Sequence, residues 1–197
     1  MNKYGNRDFS ELPTERFRRK MHPHVISIYK DIWGESIEYD QTPVQVDKDA
    51  SIDRKITLPS GQIITLQEKI REYRFLVNPK LQVCPPIPDF TQEFKNGHGT
   101  VCESVGEFFK LYAQYYFYGW ANKYQTDILR YVILNVPDYK HILESRGIES
   151  IGKLKFNKTH GRASFYAIPL PEILSAAQYT NFDISAINVT YKKDKVA

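Results

Sequence analysis

The chain has 197 residues, 42% of them hydrophobic and 25% charged, the make-up of an ordinary globular protein long enough to bury a core. Its net charge of +4 suits a polyanionic partner without requiring one. No run of 18 apolar residues is present, and Met1 to Lys20 lacks the apolar core of a secretory signal, so no membrane partner is expected and the cytoplasm is the default compartment. With only two cysteines, Cys84 and Cys102, a disulfide framework is excluded.

Residues 1–13 read as a flexible arm. From Pro23 the apolar positions Val25, Ile28, Tyr29, Ile32 and Trp33 recur at helical spacing, and Gly34 is placed to end the helix. A short strand over 36–39 and an acidic loop holding Asp40, Asp47 and Asp49 are expected next. Segments 52–58 and 62–71 form a hairpin about the turn Pro59-Ser60-Gly61, and 89–94 reads as a third strand after a proline-rich crossover. The pattern Ser104-Val105-Gly106-Glu107 matches a capping box, which predicts a helix over 104–120. A strand over 128–135, a short helix from Asp138 to Gly147 and a second hairpin (153–157 with 163–170) complete the pattern. The whole reads as a single domain of 197 residues, with a core over 23–135 and additions over 136–197.

The chemistry concentrates on the first hairpin. Side chains alternate across a strand, so Thr65, Gln67 and Lys69 share one face, and Asp53 on the partner strand can meet them. Asp53 would offer a carboxylate, Gln67 an amide oxygen and Glu68 a backbone carbonyl to Mg2+ or Mn2+, which prefer oxygen ligands and retain waters. Lys69 would serve the attacking water and the charge developing on a phosphate. A further carboxylate is needed. Glu38 and Glu93 lead the candidates, ahead of Glu35, Asp47 and Asp49.

These residues resemble the PD-(D/E)XK nuclease superfamily, with Asp53 at the second-strand aspartate and Gln67-Glu68-Lys69 at the third-strand triplet. Gln67 departs from the usual Asp or Glu and matches a Gln-x-Lys variant known from Mrr-like enzymes. Gln114 and Tyr118 resemble the Gln-x-x-x-Tyr element of the RecB-like branch. The resemblance implies an α/β restriction-endonuclease-like fold, an α-β-β-β-α-β core with a mixed central sheet flanked by helices. It further implies a Mg2+- or Mn2+-dependent nuclease acting on DNA, with a homodimer as a plausible assembly. A non-catalytic nucleic-acid-binding protein on the same scaffold is the alternative. Gln114, Tyr118, Arg16, Arg18, Arg19 and Lys20 would contact nucleic acid.

Cys84, His98 and Cys102 are of zinc-binding type, with Asp89, His141 or His160 as a fourth ligand. In the absence of paired Cys-x-x-Cys knuckles, free buried thiols are expected, and a disulfide is the alternative.

Overall fold

The structure, a computed structural model, describes residues 13–76, 89–97, 99–101, 103–157 and 163–183. Cys84, His98, Cys102 and His160 lie outside them, and so do the zinc and disulfide expectations.

The first helix, α1 (Pro13–Trp33), starts ten residues before Pro23, which sits inside it. The apolar stripe explains the longer helix: Phe17 and Met21 continue the Val25, Tyr29, Trp33 series upstream at four-residue intervals, and both contribute to one core cluster. The expected arm lies outside the described residues apart from Pro13, and the basic residues Arg16, Arg18, Arg19 and Lys20 stand in the first turns of this packed helix.

Strands β1 (Glu38–Gln41), β2 (Arg54–Thr57) and β3 (Ile63–Arg71) form an antiparallel meander, with Arg54 opposite Leu66. Gly61, at φ 81°, takes the left-handed position of the β2–β3 turn. The expected acidic loop instead contains α2 (Val44–Ala50), closed by Ser51 at φ 46°.

The expected helix over 104–120 is not formed. Ser104–Val105 is a short strand, β5, that pairs with β4 (Asp89–Asn96), and Glu107–Lys110 is a single helical turn, α3. Gly106 passes so close to β4 that a Cβ there would lie 2.6 Å from the Phe94 carbonyl carbon. Tyr115–Ala121 is β6, the strand parallel to β3, with Gln67 aligned to Tyr116 and Lys69 to Tyr118. This run of Tyr, Phe and Trp is buried on both sides. A continuous apolar stretch carries no period to separate strand from helix, and its aromatic content favours the strand.

β7 (Ile128–Asn135) and β10 (Ala177–Thr180) complete a six-stranded mixed sheet of order β1-β2-β3-β6-β7-β10. α1 covers one face, where Met21, Val25 and Tyr29 meet Ile56, Leu66, Phe117 and Ile133. The other face packs on a second sheet, β5-β4-β9-β8, which adds β8 (Lys153–Phe156) and β9 (Ser164–Pro169). Phe90, Tyr116, Tyr118, Trp120, Leu134 and Ile168 fill that interface, together with Tyr139 of α4 (Val136–Arg146). The chain is thus mixed α/β with a mixed central sheet, as expected, but the β3-to-β6 crossover runs through the second sheet. A short helix α5 (Ile148–Ile151) precedes β8. Among the described residues no helix is long and apolar enough to cross a membrane.

Candidate functional site

β3 sorts its side chains onto two sides of the central sheet. Leu66 joins the core beneath α1, and Glu68 follows on that side. Glu68 accepts hydrogen bonds from the hydroxyls of Tyr29 (3.0 Å) and Tyr39 (2.9 Å) and from Arg54 Nε (3.2 Å). His22 Nε2 lies 2.7 Å from the Tyr39 oxygen, completing a chain of polar groups under the helix. Burial and then the Glu68 charge hold both phenols well above the usual tyrosine range, while burial lowers His22.

Asp53 sits where β2 begins. Its Oδ2 accepts the Glu68 backbone N–H at 2.8 Å, and Oδ1 accepts from Arg18 Nη2 at 3.3 Å. Asp47, on α2 just before the left-handed turn at Ser51, lies near enough to Asp53 for the two carboxyl groups to act on each other electrostatically. Burial pushes the Asp53 carboxyl up to about 7; the charges of Asp47 and Glu68 add to this, while Arg18 and the Glu68 N–H oppose it. Asp47 is raised too, chiefly by burial. For both acids burial outweighs the opposing charge of Arg18.

Gln67 and Lys69 leave β3 on the opposite side, towards the second sheet. Gln67 is buried and its Oε1 has no hydrogen-bond partner among the described residues, an uncommon condition for a buried carbonyl oxygen. Lys69 Nζ donates to the Thr91 carbonyl at 3.2 Å and lies 3.6 Å from Glu107 Oε2. The three residues expected to converge are therefore arranged around one strand: Asp53 is turned to the Glu68 N–H and Arg18, and Lys69 is turned to Thr91 and Glu107. The Glu107 carboxylate was not anticipated, because its segment reads as a helix start in the sequence.

Lys69 nonetheless reaches open space. It borders a cleft of about 310 Å³ that also takes in Arg18, Glu68, Arg71, Arg74 and Phe75. A second cleft, of about 460 Å³, is bounded by Lys69, Arg71, Phe75, Thr91, Glu93 and Phe156. Of the two leading carboxylate candidates, Glu93 thus shares a cleft with Lys69. Glu38 is aligned with Thr57 at the far end of β2 from Asp53 and takes no part. The carboxylate whose charge does act on Asp53 from α2 is Asp47.

The nucleic-acid contacts fare unevenly. Tyr118 is fully buried, its hydroxyl bonded to the Thr91 backbone N–H (3.3 Å) and Oγ1 (2.9 Å), so it cannot stack on a base. Gln114 Oε1 accepts the Thr65 backbone N–H at 2.9 Å, which fastens the entry to β6 onto β3. Arg16, Arg19 and Lys20 are exposed on α1, with Lys20 donating to the Tyr124 carbonyl at 3.3 Å, whereas Arg18 is drawn in to Asp53. Arg71, Arg74 and Phe75 were missed, although Arg71 follows Lys69 at the two-residue spacing that keeps a strand's face.

The residues present fit a hard divalent cation in part. Asp53 and Asp47 offer the oxygen ligands that Mg2+ or Mn2+ with most of its waters retained prefers, although Arg18 already pairs with Asp53. Among the described residues no group of three or more His, Cys, Asp or Glu is arranged to hold a metal. Comparison of the chain with protein-family models, curated proteins and solved structures gives no match.

Proposed function

We infer that the chain is a Mg2+- or Mn2+-dependent nuclease acting on DNA, with Asp53 at its centre. The observation that carries this is a buried carboxyl raised to about 7, with Asp47 near it and with its partners Arg18 and Glu68 on the wall of a cleft that also bears Lys69, Arg71 and Arg74. A strongly perturbed acid beside a cleft is a candidate functional group. Asp53 and Asp47 would hold the cation, which when bound lowers the pKa of a ligated water and polarises a phosphoryl oxygen. The Glu68 N–H fixes one Asp53 oxygen and leaves the other directed at Arg18. Arg18 balances that oxygen and would be available to a phosphate if the carboxylate were held by a cation. Lys69, which borders that cleft, would stabilise charge on the scissile phosphate, a role for which its compact ammonium is suited.

The experiment is cleavage of single- and double-stranded DNA with Mg2+, Mn2+ or chelator, by the wild type, Asp53→Asn and Lys69→Ala, with folding checked by circular dichroism. Metal-dependent cleavage lost in both folded variants supports the assignment; cleavage unchanged in both overturns it. A specific observation favours the alternative of a non-catalytic binding protein: Asp53, Glu68 and Lys69 each already have an ion partner, in Arg18, Arg54 and Glu107. DNA binding with no metal-dependent cleavage would establish that alternative.

A further inference from the structure

The two clefts are joined along one wall. Lys69, Arg71 and Phe75 border both of them, so together they form one groove with this trio at its middle. Phe75 stands on a 3-10 turn (Tyr73–Phe75) just after β3 and is 48% exposed. The Arg71 guanidinium lies 4.1 Å from its ring centroid and that of Arg74 5.0 Å. Arg74 is also paired with Glu72 at 3.1 Å, whereas Arg71 makes no ion pair with a described residue. Phe156, 50% exposed, borders the second cleft.

An exposed ring beside two guanidinium planes is a stacking surface. Arginine and aromatic faces accept unstacked bases, while the same cations meet the phosphates between them. A duplex keeps its bases stacked inward, so Phe75 would gain little from one. A simple phosphate site would need the cations without the ring.

We propose that this groove binds a single-stranded nucleic acid, with a base stacked on Phe75 and its backbone phosphates on Arg71 and Lys69. The proposal rests on the nucleic-acid reading of the site and specifies its substrate class. Strand passage along the wall brings the backbone past Lys69 and towards the Arg18–Asp53 pair.

The test measures binding of the full chain, in chelator, to labelled oligothymidine, oligouridine and a DNA duplex by fluorescence anisotropy. Wild-type protein prefers a single strand; Phe75→Ala weakens that binding about tenfold or more and leaves duplex binding unchanged. Phe75→Trp retains affinity, and the emission of the introduced indole falls on binding. Arg71→Ala lowers the slope of log affinity against log salt by roughly 0.7. The DNA and RNA strands decide which sugar is accepted. The proposal is overturned if no strand binds, if duplex binds more tightly than single strand, or if Phe75→Ala and Arg71→Ala both bind like the wild type. Absence of metal-dependent cleavage with these binding effects intact defeats the nuclease assignment and leaves the groove standing. Cleavage and strand binding both indifferent to Phe75→Ala and Arg71→Ala defeat the groove and leave the nuclease standing.

Discussion

The Asp53 carboxylate accepts the backbone N–H of Glu68 at 2.8 Å, although Asp53 lies just ahead of the paired residues of β2. A side chain thus takes the donor that a further strand residue would have taken, and buried N–H groups seldom go unpaired. The bond fixes the acid to the sheet. It also links the two polar systems, because Glu68's own carboxylate closes the buried network with Tyr29, Tyr39 and Arg54.

The raised Asp53 carboxyl has a consequence for metal-free stability. Its folded value of about 7 exceeds the ordinary 3.8, so between these values the fold binds a proton that the unfolded chain releases. Stability from this group is full below pH 4, declines as pH rises from 4 through 7, and is level above. Between pH 5 and pH 8 the loss is roughly 2–3 kcal/mol at about 1.4 kcal/mol per unit. Asp53→Asn retains an acceptor for the Glu68 N–H but has no proton to lose. Urea unfolding in chelator should show the wild type losing more stability than Asp53→Asn over that range; parallel curves would refute the shift.

Arg54 and Glu68 form a buried ion pair, with side chains 6% and 2% exposed. Removing one member strands the other's charge, at a cost of about 3–5 kcal/mol. Arg54→Ala is therefore expected to destabilise strongly by denaturant titration, and Glu68→Ala comparably. The double variant should cost less than the sum of the two. Additive effects would show that the pair is not energetically coupled.

The hairpin around Asp53 and Lys69 was legible because alternation and a Pro-Ser-Gly turn mark it locally. The α1 stripe was legible too, and its upstream half was visible in Phe17 and Met21 once Pro23 is not taken as a start. The segment 104–121 was opaque for a physical reason: β6 is buried on both sides, so it has no polar face to set a period. Its neighbour Gly106 is fixed by the approach of Phe94, a contact no local pattern records. The nearness of Asp47 to Asp53 follows a left-handed turn at Ser51, which the serine does not announce. Arg54 was overlooked because its partner Glu68 occupies the variable position of the Gln67-Glu68-Lys69 triplet.

Tyr118 separates an interior role from a binding role. Its hydroxyl bonds to Thr91 at the junction of the two sheets, and its ring packs against Phe90 and Trp120. Tyr118→Phe removes only the hydroxyl, which should cost about 1 kcal/mol, whereas Tyr118→Ala should cost about 3–5 kcal/mol. Nucleic-acid affinity of folded Tyr118→Phe should equal the wild type in anisotropy titrations. A marked loss of affinity at unchanged stability would place Tyr118 in the interface after all.

Lys69 is held by two groups from the second sheet region, the Thr91 carbonyl at 3.2 Å and Glu107 Oε2 at 3.6 Å, yet it borders both clefts. A structural lysine and a catalytic one predict different responses to Lys69→Met, which keeps the chain length and apolar stem but not the charge. If the ion pair with Glu107 were its whole purpose, the variant would lose stability, and Glu107→Gln in the same protein would restore it by removing the stranded carboxylate. Under the nuclease assignment, the metal-dependent cleavage rate at saturating DNA falls about a hundredfold or more. Glu107→Gln then restores stability without restoring that rate. Measuring melting temperature and cleavage on Lys69→Met and on the double variant separates the two cases. Recovery of cleavage in the double variant would reduce Lys69 to a partner of Glu107, because the charge itself would then have no part in the reaction.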